Sequence, residues 1–476
     1  MTLLKRLRHT FLRRQKGYSK KRPLLAEFLE ARSMLSASSI NLDSVDNAYC
    51  STLPVIDDSF QFAFQPTAST LQLAPLADTF LLHSRPSATK IIYLDFTGHT
   101  TTGTSWSNGA TIVTPEYDID NIAGFSNSEL QNVQDVWARV VEDFAPFDVD
   151  VTTQEPASLE DLQNSGGADD RWGIRVVIGG DGGWYGAAGG VAYLTSFDWN
   201  SDTPCFVFTD NLGNGNPKLT AEATSHEVGH TLGLAHDGRT SPSEGYYRGH
   251  GSGPTGWAPI MGVGYSKELV QWSSGQYLSA DNQQDDLTII TTTNGFGYRV
   301  DDYGSTISTA NEPPLKSEIP LSLTGVIEQN TDIDLFRIRT TGSLKATLTP
   351  AVISPNLDIL AEIWDATGSV IFTSNPLDAL NASFDLIVTA GDYFLAIRGG
   401  GKGDPLGTGY TNYGSLGQYS MTLTVSSDTT PPVATFATSP TLRNTPLDSI
   451  GIDFSRSVSG VSIGDLTLSR NGVPVN

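Results

Sequence analysis

The chain has 476 residues, a net charge of −23, 47 Gly, 25 Pro and only 17% charged side chains. At roughly 100–200 residues per domain, that length predicts about two to four domains, and the composition suits a turn-rich extracellular β protein better than a helical cytosolic enzyme. The first 32 residues hold ten Lys/Arg and two Glu, which leaves 19 basic against 50 acidic side chains for the rest, a body that repels phosphates and argues against nucleic acid as a partner.

Residues 1–37 form a basic leader: Lys5, Arg6, Arg8, Arg13, Arg14, Lys16, Lys20, Lys21 and Arg22, followed by Leu24-Leu25-Ala26-Glu27-Phe28-Leu29-Glu30-Ala31-Arg32-Ser33-Met34-Leu35-Ser36-Ala37. Its apolar part is short and carries Glu, unlike an ordinary signal peptide. It resembles the LEPR-type segment of large bacterial surface and secreted proteins, which implies export, to the medium or to the cell surface. Residues 38–86 are polar and weakly patterned, and read as a linker or pro-segment. No run of 18 apolar residues suggests a transmembrane span.

Order is expected from residue 87 to residue 300. Ile91–Phe96 reads as a strand. Ser126-x-x-Glu129 fits a capping box, and Leu130, Val133, Trp137, Val140, Val141 and Phe144 form one apolar helical stripe ended by Pro146. Strands follow at 147–152, 174–178, 189–194 and 205–208, and then a helix for which Thr220 is a candidate N-cap. The expected fold class is α/β (α+β), a twisted mixed sheet with a metal-binding helix. A polar connector at 301–315 leads to residues 316–427, where the helical signal vanishes. Short alternating runs at 334–339, 344–348, 361–364, 369–372, 383–388, 393–397 and 419–425 predict a β-sandwich. Residues 428–476 read as a linker and the start of an incomplete Ig-like β-domain.

The chemistry is concentrated in His226-Glu227-Val228-Gly229-His230-Thr231-Leu232-Gly233-Leu234-Ala235-His236-Asp237. Two histidines four apart leave the same helix face about 6 Å apart along the axis, so one ion can bridge them. Gly233 permits a sharp turn that can bring His236 to the same ion. Three neutral imidazoles leave a fourth position open, the mark of a catalytic zinc site, and Glu227 lies where it can serve as general base. The chain has seven His, and three of them fall in this twelve-residue window.

This pattern, HExxHxxGxxHD, resembles the metzincin zinc-peptidase signature. The resemblance implies zinc on His226, His230 and His236, catalysis by Glu227, and Met261 in a Met-containing turn within Ala258–Tyr265. It also implies that Asp237 buttresses the site. The Tyr that some members carry two residues after that Met is Val263 here, and the nearest Tyr is Tyr265. Gly190, Val191, Ala192 and Tyr193 are the candidate edge strand for pairing with extended substrates. Residues 316–427 resemble the prepeptidase C-terminal-type β-sandwich, through Asp332–Phe336, Asn356–Asp358, Ala390–Phe394 and Gly414–Tyr419, which implies an accessory module, with cell-surface attachment one of its uses. The expected function is a secreted or cell-surface zinc endopeptidase acting on protein or peptide substrates. The alternative is an adhesion protein whose metzincin-like domain is inactive.

Several residues leave their roles open. Cys50 either pairs with Cys205 or, within a pro-segment, blocks the zinc as a thiolate. His99 and His250 read as loop residues. The acidic body suits structural calcium, with Asp181, Asp198, Asp202 and Asp210 in loops, but no EF-hand spacing assigns a ligand.

Overall fold

The computed structural model describes residues 26–27, 73–340, 342–426, 433–436 and parts of 449–474. The mixed α+β fold is mostly β. The first sheet has six strands in the order β1-β7-β8-β6-β2-β5: β1 (Ala26–Glu27), β2 (Lys90–Asp95), β5 (Asp150–Thr152), β6 (Trp172–Ile178), β7 (Gly190–Tyr193) and β8 (Cys205–Val207). β5, β2, β6 and β8 run parallel, whereas β7 and β1 are antiparallel additions at one side. All six residues of β2 are buried, as expected for a parallel strand covered on both faces. A small hairpin, β3 (His99–Thr101) with β4 (Ile112–Thr114), projects from the strand ends.

Helix α1 (Asn127–Phe144) begins at the expected capping box: the Ser126 hydroxyl accepts from Glu129 N, and the Glu129 carboxylate accepts from Ser126 N. Its apolar stripe packs on the sheet and on α2 (Pro217–Thr231). The α2 N-cap is Asn216, whose side chain accepts from Leu219 N, and Pro217 occupies the first turn. The Thr220 expectation is therefore corrected: Pro217 has no N–H to satisfy and a fixed φ suited to a first turn, so the helix starts a turn earlier. Thr220 lies inside the helix and is fully buried. The chain then forms a β9–β10 hairpin (Arg239–Thr240, Ser243–Glu244), the parallel pair β11 (Trp257–Pro259) and β12 (Leu269–Gln271), and α3 (Asp286–Thr293).

Two four-stranded antiparallel sheets follow, β13-β20-β15-β18 and β14-β19-β16-β17. The first holds β13 (Leu321–Ile327), β15 (Ser343–Pro350), β18 (Ala382–Ile387) and β20 (Gly417–Val425). The second holds β14 (Asp334–Thr340), β16 (Ile359–Trp364), β17 (Val370–Ser374) and β19 (Gly391–Gly399). Strict burial alternation along β15 and β20 shows one face inward. This sandwich sits against α1 and β12. Gln418 donates to Glu142, Asn356 donates to Asp143 at 2.7 Å, and Gln271 donates to the Asn356 carbonyl. Among the described residues, no helix is long and apolar enough to cross a membrane.

Candidate metal centre

Helix α2 carries His226 and His230 inward on its buried face. The helix ends at Leu232, and Gly233 adopts φ +104°, a conformation that L side chains rarely take. That bend returns the chain, and His236 arrives beside the other two imidazoles. The ring centroids lie 4.8, 5.3 and 4.7 Å apart, nearly an equilateral triangle.

Backbone carbonyls fix the tautomers. His226 Nδ1 donates to Ile260 O at 2.9 Å, and His230 Nδ1 donates to Leu234 O at 2.8 Å, because a carbonyl can only accept. With the proton on Nδ1, each Nε2 presents a lone pair to the centre. His226 Nε2 is buried with no hydrogen-bond partner, and His230 Nε2 stands 3.0 Å from His236 Nε2. Burial pushes the His226 imidazole down to about 4 and His236 to about 3, and holds His230 well below its usual range, so all three are neutral at pH 7. A proton on His236 Nε2 can bridge the His230–His236 pair, and a bound cation would take that proton's place. The 3.0 Å separation is close to the ~3.3 Å edge of a tetrahedron with 2.0–2.1 Å Zn–N bonds, so the donor set fits zinc.

Glu227, next after His226 in α2, is fully buried. Gly190 of β7 borders it so closely that a Cβ there would lie 2.6 Å from Glu227 Oε1 and 2.7 Å from Phe206 O. Met261 is buried beneath α2, and a Cβ on Gly229 would meet its sulfur at 2.4 Å. The Met261 carbonyl accepts from Asp237 N at 2.8 Å, tying the loop after His236 to the floor of the site. The Asp237 carboxyl is hydrogen-bonded to the Asn282 side chain, and burial followed by the Asp281 charge raises it to about 7. Its support of the site therefore runs through its backbone and this buried network.

In β7, Val191 lies opposite Phe206 of β8, while Ala192 and Tyr193 lie opposite Glu27 and Ala26 of β1. The Tyr193 ring stacks on Trp106 at 3.9 Å. Tyr265 packs against the core beneath the site, where burial and then the Glu222 and Glu227 charges raise its hydroxyl. Tyr246 was missed in the sequence. Its ring lies 4.4 Å from His236 and 6.2 Å from His226. It sits in a Ser/Gly loop with no periodicity to mark it. Tyr185 was also missed; burial and the Glu227 charge raise it to about 12.

His250 hydrogen-bonds the Tyr247 hydroxyl and the Gly409 carbonyl, and His99, 3.7 Å from Asp95, opens β3 opposite Thr114, which corrects the loop reading for His99; neither belongs to the triangle. Cys205 is a buried free thiol, which speaks against the pairing alternative left open for Cys50, and Cys50 itself lies outside the described residues. Asp202 pairs with Arg175, and Asp181, Asp198, Asp202 and Asp210 form no cation-holding group among the described residues.

No family model and no curated protein matches this chain. Among solved structures, it is similar to the pre-peptidase C-terminal domain of a Bacillus anthracis collagenase, at 12% identity over 26% of this chain and 97% of that one, with TM-score 0.18. It is also similar to PliG, a periplasmic inhibitor of g-type lysozyme from Aeromonas hydrophila, at 8% identity over 24% and 94%, with TM-score 0.17. A third is a mitogen from Yersinia pseudotuberculosis, at 17% identity over 24% and 90%, with TM-score 0.16.

Proposed function

We propose that this chain is an extracellular zinc endopeptidase of the metzincin type. One observation carries the reading: three neutral imidazoles converge within reach of one ion, with His226 Nε2 buried and without a hydrogen-bond partner, and Glu227, next to His226 in α2, is fully buried. Zinc bound there would polarise a peptide carbonyl and bring a water's pKa toward about 7. Glu227 takes the proton of the attacking water as the C–O bond forms, then delivers it to the amine nitrogen as the C–N bond breaks. On its outer side β7 is paired with β1 at Ala192 and Tyr193, so an extended chain would add as a further strand in place of that two-residue pairing. His236 is only half-buried, so the site opens on its side.

The test is Glu227→Gln in the purified full chain, assayed on casein with metal content measured in parallel. Cleavage should fall by about 10²–10⁴-fold with close to one zinc per chain retained. His236→Ala should lose both. Casein cleavage that survives Glu227→Gln overturns the peptidase reading. A wild type that holds zinc and cuts nothing favours the adhesion-module alternative.

A further inference from the structure

One sandwich residue is joined to the metal centre by two routes. Asn356 lies between β15 and β16 and is 3% exposed. Its side-chain amide donates to Asp143 Oδ1 at 2.7 Å, and Asp143 Oδ2 accepts from the Ser225 hydroxyl. Ser225 immediately precedes His226 in α2. On the second route the Asn356 carbonyl accepts from Gln271 Nε2. The Gln271 backbone carbonyl accepts from Ile260 N at 2.9 Å, and the Ile260 carbonyl accepts from His226 Nδ1 at 2.9 Å. Both routes therefore end at His226, one at the residue before it and one on its ring.

The routes run through the interior and are cross-linked. Asp143, Ser225, Gln271 and Ile260 are all buried. Trp272, next after Gln271, donates from Nε1 to the Asp143 carbonyl at 2.8 Å, which ties one route to the other. Its ring packs against α2, where a Cβ on Gly229 would lie 3.4 Å from Trp272 Cζ3. In a buried chain of hydrogen bonds, losing one member leaves its partner unsatisfied, so the neighbours must shift to recover it. The two helix histidines differ in how they depend on these routes. His230 is oriented by Leu234 O, four residues on in its own bend. His226 takes its orienting carbonyl from Ile260, 34 residues away and just after β11, so its ring angle depends on how β11 and β12 are held.

We propose that Asn356 is a positioning residue for His226, which makes the sandwich part of the support of the metal centre and not a detachable attachment module. The inference rests on the zinc reading of the histidine triangle. The ring nitrogen remote from a metal sets the orientation and tautomer of an imidazole, and loss of the groups that hold it weakens metal binding by about 10–100-fold. Asn356 acts one step further out, by fixing Ser225 through Asp143 and Ile260 through Gln271. The contact of Gln418 with Glu142 also joins the sandwich to α1, and it is the natural comparison because it bonds neither Ser225 nor Ile260.

The experiment uses the full chain, stripped of metal and titrated with zinc in competition with a chromophoric chelator. Cobalt(II) loaded in place of zinc gives a second readout, because its visible absorption follows the ligand geometry. Asn356→Ala should weaken zinc binding about tenfold and alter the cobalt spectrum. Ser225→Ala cuts the first route at the helix, leaves the sandwich contacts in place, and should do the same. Gln418→Ala loses a different contact between sandwich and α1; its zinc affinity and cobalt spectrum should stay those of wild type even where its melting temperature falls as far. Wild-type zinc affinity and cobalt spectrum in a folded Asn356→Ala or Ser225→Ala overturn the inference, and if Asn356→Ala does not fold, Ser225→Ala decides alone. Equal changes in Gln418→Ala overturn it as well, since they would mark a general loosening of the junction. A wild type that binds neither metal overturns the zinc reading itself, and this role with it, before any variant is compared.

Discussion

Gly190 is the residue on which the approach of β7 to Glu227 depends. A methyl group there would sit 2.6 Å from a carboxylate oxygen and 2.7 Å from a backbone carbonyl, and β8 holds the strand too firmly to retreat. Gly190→Ala should therefore displace the Glu227 carboxylate and leave the imidazoles themselves undisturbed. Casein cleavage is expected to fall at least tenfold with zinc content unchanged; equal loss of zinc and activity would mean that the methyl group damages the whole site. At this scale, much of the centre was legible in advance. The i, i+4 histidines, the glycine at the bend and the third histidine are chain-local, so spacing alone places them near one another. Tyr246 and Tyr185 were not legible, because they reach the site from loops whose paths depend on distant packing. Asp237 was legible as a support, but the Asn282 side chain that hydrogen-bonds its carboxyl comes more than forty residues later.

Among the elements, β7 stands out because its outer side is not bare. Ala26 and Glu27 pair antiparallel with Tyr193 and Ala192, two of the four residues proposed to receive substrate. A two-residue strand contributes few hydrogen bonds, but it occupies the same N–H and C=O groups that an extended peptide would use. A chain lacking residues 1–37 should therefore cleave casein faster than the full chain, chiefly through a lower KM. If the two forms have the same KM, this pairing does not compete with substrate. The elements read correctly from the sequence are those with strong local signals: α1 has its capping box, and β15 and β20 have clean alternation. α3 was missed because Thr291-Thr292-Thr293 argues for a strand. Each Thr hydroxyl instead donates to the carbonyl four residues back, and Asp285 caps the start by accepting from Thr288 N. β13 was missed because Leu321–Ile327 is partly exposed at its start and fully buried at its end, which blurs the period of two.

Taken as a whole, the molecule joins its first sheet to its sandwich through buried acids, and that has a consequence for pH. Glu142, at the end of α1, is fully buried; its carboxylate accepts from both the backbone N–H and the side-chain amide of Gln418. Burial dominates, with the adjacent Asp143 adding to it, and raises Glu142 to about 8. Asp143 is raised to about 7 for the same main reason, with Glu222 adding to it and Ser225, Asn356 and Arg139 opposing. An exposed carboxyl in the unfolded chain titrates near 4. Between about pH 4 and 8 the folded form thus binds more protons than the unfolded form, so stability must fall as pH rises through that window, by up to about 1.4 kcal/mol per pH unit for each such group. Below pH 4 both states hold the proton and the effect levels off. Glu142→Gln keeps an amide oxygen for Gln418 but cannot ionise. Its melting temperature should match wild type near pH 5 and exceed it at pH 8, with zinc content unaffected. Thermal melts of the two proteins across that range decide the matter: parallel curves would show that the Glu142 carboxyl is not held protonated at the junction.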